Sequence, residues 1–343
     1  MRNYLMRLLG NTPELPLLPS PLLEQLVTYI DVGARGGPPR SWLKLTNQIE
    51  YVCFEPDEKE ARELVVAFSK TNNFKATVSP KALGATGGSA TLHLTKFRPS
   101  CSLLSPNTQL LRRFAVRDFF EVEETATVGI DSLDSALEEL GAGCDFLKAD
   151  VQGYEMEVLR GAEKSLAQTL GCELEVSFLE IYRKQPLFAE VDTFMRERGF
   201  FLADLERVWW THAEVPLALQ QRGSLAYGNA LYLQATAITP RNRNEALKAM
   251  IICIACGLDA FAFELCEQSF RRGLLNAGER ELFMTWFGQY SRGCAFWNGL
   301  ASFASRLPGH QTLARWFGLW SRALQGQSHT GSDSESWLRR SSW

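Results

Sequence analysis

Hydrophobic and polar positions alternate between strand-like and helix-like segments from residue 27 to about 235, a pattern typical of a parallel α/β sheet. Apolar runs at Val27–Val32 and Ile49–Phe54 predict the first two strands, and Phe74–Val78 predicts the third. Between the second and third strands, Asp57–Ser69 carries apolar residues at helical spacing. The start of the chain therefore predicts alternating strands and helices.

The middle of the chain is less regular. Ala82–Leu83 and Ala90–Leu94, separated by two glycines, have the pattern of a hairpin. Residues 95–120 carry little pattern but several basic and polar side chains, which suits a lid or substrate loop, or equally a solvated insertion. Asp131 is placed to cap a helix that ends before Gly141.

The alternation then resumes and completes a sheet. The expected elements are a strand at Cys144–Asp150, a helix from Gly153, a strand at Cys172–Ile181, a helix at Pro186–Arg198, and closing strands at Phe200–Leu205 and Ala230–Leu233. The two closing strands are expected to be antiparallel. We therefore expect an α/β fold with a doubly wound, Rossmann-like, mostly parallel sheet.

After Thr239-Pro240 the pattern changes to amphipathic helices joined by turns that contain glycine or proline. The expected helices are Asn244–Cys256, Asp259–Arg272, Ala277–Gln289 and Leu313–Leu324. The last residues are rich in Ser, Gly and Gln, which predicts disorder. The expected organisation is an N-terminal extension at 1–26, a cofactor-binding domain at 27–237, a helical domain at 238–325 and a disordered tail at 326–343.

The net charge and composition of the chain limit the kinds of partner and the location that we expect for it. A net charge of -3 provides no basic field, so nucleic acid is not expected. No segment reaches the ~20 consecutive apolar residues of a membrane-spanning helix. The N-terminus lacks the compact apolar core and cleavage site of a signal peptide. We therefore expect a cytoplasmic protein.

The cysteines and histidines do not indicate a metal site. The eight cysteines are dispersed and lie mostly in apolar runs, which predicts buried free thiols. Cys253 and Cys256 have C-x-x-C spacing, but no second pair follows, and the four histidines show no zinc-like spacing. Several carboxylates near one cleft would suit a hard cation, yet no ligand set can be read from the sequence.

The loop after the first predicted strand carries the strongest chemical signal. Residues 30–37 read I-D-V-G-A-R-G-G and lack the G-x-G-x-x-G of dinucleotide sites. Read as D-x-G-x-x-x-G, with Asp31, Gly33 and Gly37, the loop suits a ligand that has no phosphates and carries an amino group and a sulfonium, namely S-adenosylmethionine. Glu55 would then accept hydrogen bonds from both ribose hydroxyls. Alternatively, the glycines are turn residues and Glu55 begins a helix.

Carboxylates near the ends of other predicted strands would face the same crevice, because ligands of open α/β sheets bind at the carboxyl ends of the strands. Methyl transfer requires alignment of donor and acceptor and, for a hydroxyl, its deprotonation. Asp150 is the candidate base, acting directly or through Gln152. Glu175 or Glu180 is expected near the same crevice. Asp150 also has the position of a cap for the helix starting at Gly153.

Four blocks of the sequence resemble the FkbM-type methyltransferases, over roughly residues 27–235. They are I-D-V-G-A at 30–34, F-E-P-D at 54–57, D-F-L-K-A-D-V-Q-G-Y-E followed by V-L-R-G-A at 145–162, and Y-R-K-Q-P-L-F at 182–188. The D-x-x-K-x-D-V-x-G-x-E pattern is the most specific. Two positions depart from the family: Arg35 stands where Asn is commoner, and Asn229 where Asp is frequent.

The resemblance implies a class I methyltransferase fold, S-adenosylmethionine as cofactor, and O-methylation of a hydroxyl on a sugar, glycan or natural product. It implies that Asp31, Gly33 and Gly37 hold the methionine end, Glu55 the ribose, and Asp150 with Glu155 the region near the transferred methyl. Ala34 and Pro56 are further candidate cofactor contacts, and Gln152 completes the candidate catalytic residues.

Two other functions stay open. One is a nicotinamide-dependent oxidoreductase, which the missing G-x-G-x-x-G disfavours. The other is a non-catalytic binding module that retains the fold and docks a partner through the helical domain. Homo-oligomer formation through that domain is also left open.

Overall fold

The computed structural model describes residues 26–288 except for 44, 46, 71–73 and 216–222. Three expected segments lie outside the described residues. They are the N-terminal extension at 1–26, apart from residue 26, the helix at Leu313–Leu324 and the tail at 326–343. The chain divides into two compact units. One comprises Leu26–Pro38 and Ile49–Ile238, and the other contains Pro39–Gln48 and the described residues from Thr239 onward.

Two sheets are present in the described part of the first unit. Their strands are β1 Val27–Val32, β2 Ile49–Phe54, β3 Ala76–Ser79, β4 Ala82–Leu83, β5 Gly88–Thr95, β6 Val122–Asp131, β7 Phe146–Ala149, β8 Gly171–Ser177, β9 Phe200–Trp210 and β10 Ser224–Gln234. The larger sheet has the order β3-β2-β1-β7-β8-β10-β9. Its first five strands in that order are parallel, and β10 is antiparallel to both neighbours. The predicted doubly wound, mostly parallel sheet is confirmed.

The first two strands have the predicted bounds, and each is mostly apolar, with Thr28 and Asp31 as the polar residues of β1 and Glu50 as that of β2. All six residues of β1 are buried, as expected for a parallel strand covered on both faces. The third strand begins two residues later than predicted, at Ala76. Phe74 instead stacks its ring on that of Tyr51, with 5.7 Å between the centroids.

The strand order reverses between β1 and β7, because the chain builds outward from β1 through β2 to β3 and then returns to the other side of β1. In an open α/β sheet, connections on either side of such a point leave a crevice at the carboxyl ends of the strands. The loops after β1 and β7 therefore lie side by side at this crevice.

The second sheet has the order β4-β6-β5. β6 pairs in parallel with β4 and antiparallel with β5. The predicted hairpin between β4 and β5 is therefore wrong, because β6 lies between them. β6 was not predicted, since most of its residues are exposed and it carries no apolar run.

Ten helices have described bounds. They are α1 Arg40–Leu43, α2 Glu58–Ser69, α3 Thr108–Leu111, α4 Leu133–Leu140, α5 Glu155–Arg160, α6 Glu163–Leu166, α7 Phe188–Glu197, α8 Ala235–Ile238, α9 Arg243–Ala255 and α10 Asp259–Arg271. α2 is capped by Asp57, whose carboxylate accepts from the backbone N–H groups of the first turn. α4 is capped by Ser132 rather than by Asp131, which is the last residue of β6, so that predicted cap is wrong.

The helix predicted after β7 is divided into α5 and α6 near Gly161. A Cβ atom at Gly161 would lie 2.0 Å from the carbonyl oxygen of Gly84, so the chain approaches another backbone segment closely here. No side chain could occupy that space. Glycine at position 161 is therefore required by a contact between segments distant in sequence.

In the second unit, α9 packs against α10, and residues 277–288 are also helical. Nine of the thirteen residues of α9 are buried. The expectation that this helix is amphipathic is wrong, since a helix that is apolar all round is buried all round. Arg243 donates to Glu279 at 2.7 Å, and Arg280 donates to Glu267 at 2.8 Å.

Candidate active site

A cavity lies at the carboxyl ends of β1, β2 and β7, where the strand order reverses. Its walls come from the loops that follow these strands, from β4 and from residues 98–103. The predicted site residues that line it are Gly33, Glu55, Pro56, Asp150 and Gln152. The other predicted residues, Asp31, Ala34, Gly37 and Glu155, are not among the residues that line it.

The loop after β1 is shaped by contacts between backbone segments. Gly33 has a φ of 80°, and a Cβ atom there would lie 2.0 Å from the carbonyl oxygen of Asp150. Its N–H donates to Phe54 O at 3.0 Å, and the N–H of Asp150 donates to Val32 O at 3.0 Å. Glycine is required at position 33 because two strand-end loops meet there. The structure shows close approach of the Gly33 backbone to the loop after β7, and the predicted approach of the same backbone to a ligand stays a prediction.

Gly37 supports the same loop from outside the cavity. Its φ is 76°, and a Cβ atom there would face the ring of Phe68 at 3.5 Å. The N–H of Gly37 donates to Ala34 O at 2.9 Å, which closes a turn. Ala34 itself is fully buried. These two predicted cofactor contacts therefore shape the loop from behind.

Asp31 is fully buried, and its carboxylate bonds to protein groups. It accepts from the hydroxyl of Tyr51 at 2.7 Å and from the ammonium of Lys148 at 3.1 Å. Burial alone would lower the pKa of Lys148, but the charges of Asp31 and then Asp150 outweigh it, so the pKa is raised. The buried pair ties the end of β1 to β7.

Glu55 forms part of the cavity wall although only 5 % of it is exposed. Its Oε1 accepts from the N–H of Asp57 at 2.9 Å. Burial raises the pKa of Glu55 to about 7, while that N–H and the guanidinium of Arg35 oppose the rise. Near neutral pH, Glu55 is thus divided between its neutral and ionised forms.

Arg35, a departure from the family pattern, also lines the cavity. Its guanidinium donates to Asp57 and to Glu60, each at 2.9 Å, and lies 3.9 Å from Glu55. It therefore clamps the loop after β1 to the start of α2. The charge sequence E-P-D-E-K-E at 55–60 is the signal that could have identified this contact.

Asp150 and Gln152 stand at the opposite wall, after β7. The Nε2 of Gln152 donates to Asp150 Oδ1 at 2.9 Å and to Glu175 Oε1 at 3.0 Å. Ser102 donates its hydroxyl hydrogen to the carbonyl oxygen of Gln152 at 2.7 Å. The structure therefore brings a residue of β8 and a residue of the 95–120 segment to the two predicted catalytic residues.

Glu155 holds the turn between β7 and α5. Its Oε1 accepts from the N–H groups of Val151 at 2.9 Å and Gly153 at 3.2 Å. Burial is the main cause that raises the pKa of Glu155 to about 7. The helix begins after Tyr154 and has no side-chain cap, so the alternative reading of Asp150 as its cap is wrong.

Several lining residues were not predicted as site residues. Lys81 directly precedes β4, and Leu83 lies in it. Three more lining residues, Cys101, Ser102 and Leu103, come from the irregular segment. Residues 98–103 thus lie at the cavity, in the stretch where a lid or substrate loop was expected. Lys81 carries no local signal, because its place depends on the pairing of β4 with β6.

Among the described residues, no group of three or more His, Cys, Asp or Glu side chains is arranged to hold a metal ion. None of the described helices has the length and apolar character needed to cross a membrane.

Comparison with known proteins gives one family. A family model described as the methyltransferase FkbM domain matches residues 31–202, half of the chain. No curated protein matches the chain.

Similar solved structures include a methyltransferase FkbM from Methylobacillus flagellatus KT, at 13% identity and a TM-score of 0.34, covering 61% of this chain and 43% of that one. A putative RNA methyltransferase from Pyrococcus horikoshii has 11% identity and a TM-score of 0.30, covering 67% and 80%. Magnesium protoporphyrin IX methyltransferase from Synechocystis PCC 6803, with bound SAM, has 9% identity and a TM-score of 0.32, covering 62% and 72%. The chain thus spans less than half of the first of these proteins.

Proposed function

The chain belongs to the FkbM methyltransferase family, and from this premise we propose that it methylates a hydroxyl of a sugar, glycan or natural product with S-adenosylmethionine. The observation that carries the proposal is the cavity at the strand reversal. It holds Glu55 on one wall and Asp150 on the other, with the Gly33 loop beside them. Its residues offer carboxylate acceptors and a closely folded glycine loop, which fits a ribose and a positively charged methionine end.

The residues around the cavity have separate roles in the proposed function. Glu55, with Pro56 beside it, would accept hydrogen bonds from the ribose hydroxyls. The backbone of the Gly33 loop would lie along the methionine end. Asp31, Ala34, Gly37 and Glu155 would act from behind the wall, because their contacts are with the protein.

When bound, the cofactor would supply a methyl group already activated by a sulfonium. Asp150 would orient the acceptor hydroxyl and take its proton, and Gln152 would hold the Asp150 carboxylate in place through its 2.9 Å hydrogen bond. The enzyme's main contribution would be alignment of the two reacting groups.

Ligand titration tests the cofactor. S-adenosylmethionine and S-adenosylhomocysteine should each raise the melting temperature, because a ligand that binds only the native state stabilises it, and NAD should not. Glu55→Ala should weaken S-adenosylhomocysteine binding by about 1.5 to 3 kcal/mol. The matched control is Glu63→Ala, an exposed residue on α2. Stabilisation by NAD alone would favour the oxidoreductase, and no response to any of the three would favour a binding module.

Asp150→Asn tests the catalytic step. S-adenosylhomocysteine affinity should stay within a few-fold, while turnover should fall roughly 100-fold, the usual scale for loss of a general base. Sugar hydroxyls are the first acceptors to screen. Unchanged turnover with lost cofactor affinity would make Asp150 a binding residue instead.

A further inference from the structure

The side-chain amide of Gln152 joins two carboxyl groups beside the cavity. Because Asp150 Oδ1 and Glu175 Oε1 each accept from the same nitrogen, at 2.9 and 3.0 Å, the two carboxyl groups are close neighbours. Their closeness follows from strand pairing. β7 and β8 run in parallel, with Ala149 opposite Leu174. The residues that follow these two are Asp150, directly after β7, and Glu175, within β8.

Gln152 is held firmly in this bridging position. It has a φ of 55°, an uncommon conformation for a residue other than glycine, of a kind found at functional sites. Its carbonyl oxygen accepts from Ser102, and its Oε1 lies 3.0 Å from the hydroxyl of Tyr182. The Ser102 bond holds the backbone of Gln152, and the Tyr182 contact lies on the side-chain amide that joins the two carboxyl groups.

The charge around Glu175 is unbalanced toward acids. Asp150 and Glu155 act on it from the loop after β7 and the start of α5, and the phenols of Tyr182 and Tyr227 lie near it. Lys148 is the cation that acts on it, but that ammonium already donates to Asp31. Burial, followed by Asp150 and Glu155, raises the pKa of Glu175 well above its ordinary value.

Like charges on neighbouring carboxyl groups repel each other, which favours a state in which one of the two groups keeps its proton. We propose that Asp150 and Glu175 form a carboxyl pair that holds one proton in the resting protein, carried by Glu175, which leaves Asp150 free to accept a proton from the acceptor hydroxyl. Glu175 Oε1 accepts from Gln152, so the proton sits on Oε2. Glu175 is thus a positioning residue that acts through Asp150.

The role of the pair in catalysis rests on the proposed function. Methylation forms an O–CH3 bond, breaks the S–CH3 bond with its electron pair left on sulfur, and releases the hydroxyl proton. Asp150 takes that proton, and the pair then holds two. One proton returns to solvent before the next turnover.

Infrared spectroscopy of the free protein tests the pair, since a protonated carboxyl has a C=O stretch that a carboxylate lacks. The measurement is made at about pH 8.5, where groups with a pKa of about 7, such as Glu55, Glu155 and Glu173, are ionised. Wild type should keep one protonated carboxyl. Glu175→Gln should lose it, and the control Glu180→Gln, an exposed residue just after β8, should keep it.

Asp150→Asn distinguishes the effect of the Asp150 charge on the protonation of Glu175 from the effect of burial alone. Removing the neighbouring charge should move the titration of the C=O band to lower pH. An absent band in wild type, a band that survives Glu175→Gln, or a titration that Asp150→Asn leaves unchanged would each overturn the proposal. So would failure of Glu175→Gln to fold, because glutamine is close in shape to the neutral acid.

These outcomes are independent of the proposed function. The infrared measurement needs no cofactor, whereas the methyltransferase proposal fails if S-adenosylhomocysteine does not bind. A protein with the band but without S-adenosylhomocysteine binding would keep the carboxyl pair and lose the function. The reverse result would keep the function and overturn the pair.

Discussion

Replacing Glu55 by glutamine should stabilise the fold at neutral and alkaline pH while weakening cofactor binding. Glu55 is buried, and its pKa in the folded protein is about 7, against an ordinary value of 4.5. A carboxyl whose pKa is raised on folding binds protons more readily in the native state than in the unfolded state. Its contribution to stability is therefore lost as the pH rises from 4.5 to 7.

The magnitude follows from the same two values. Each tenfold change in the ionisation constant is worth about 1.4 kcal/mol, so the full effect above pH 7 is about 3 kcal/mol at most. Glutamine keeps an oxygen that can accept from the N–H of Asp57. Arg35 keeps its bonds to Asp57 and Glu60. We therefore expect Glu55→Gln to gain about 1 to 3 kcal/mol at pH 8, and to gain almost nothing below pH 4.5.

Urea unfolding followed by circular dichroism, at several values between about pH 4.5 and 8, measures this difference. The gain of the variant over wild type should grow through the interval and then level off above pH 7. Glu63→Gln, an exposed change on α2, should stay within about 0.5 kcal/mol of wild type throughout. A variant that is no more stable than wild type at pH 8, or a gain that does not depend on pH, would refute the reasoning.

Three further predictions concern the contacts behind the cavity. Gly33→Ala should lower the free energy of unfolding in urea by roughly 3 kcal/mol or more, because the new Cβ would collide with the Asp150 carbonyl. Gly36→Ala, at a similar φ but in open space, should lower it by about 1 kcal/mol, and equal losses would contradict the prediction. Lys148→Met should lower the free energy of unfolding by about 3 to 5 kcal/mol, because it leaves the Asp31 carboxylate buried without its cation. Adding Asp31→Asn should restore part of that loss, so additive effects of the two changes would argue against the pair. Thiols whose pKa is raised by burial should react with a disulfide reagent only after unfolding, and rapid modification of the native protein at any of them would be contrary evidence. They are Cys53, Cys144, Cys172, Cys253 and Cys266.

Much of the fold could be read from the sequence because the signals are local. β1 and β2 are mostly apolar and mostly buried, and their bounds match the prediction. The turns at Gly33 and Gly141 need positive φ, which glycine adopts readily. The family motif likewise lies in short contiguous blocks. Each of these features is decided within a few residues, so the order of amino acids alone is enough to indicate it.

The rest was decided by pairing between distant segments. β6 separates β4 from β5 and pairs with the strand that follows Lys81 at the cavity, and position 161 must be glycine because Gly84 lies against it. Which carboxylates face the cavity was likewise decided by the tertiary structure, because strand register sets what each side chain meets. Asp31 meets Lys148 and is buried, whereas Asp150 meets Gln152 and Glu175 beside the cavity. The sequence determined that carboxylates stand at the strand ends, and only the packing of β1, β7 and β8 determined which remain available to a ligand.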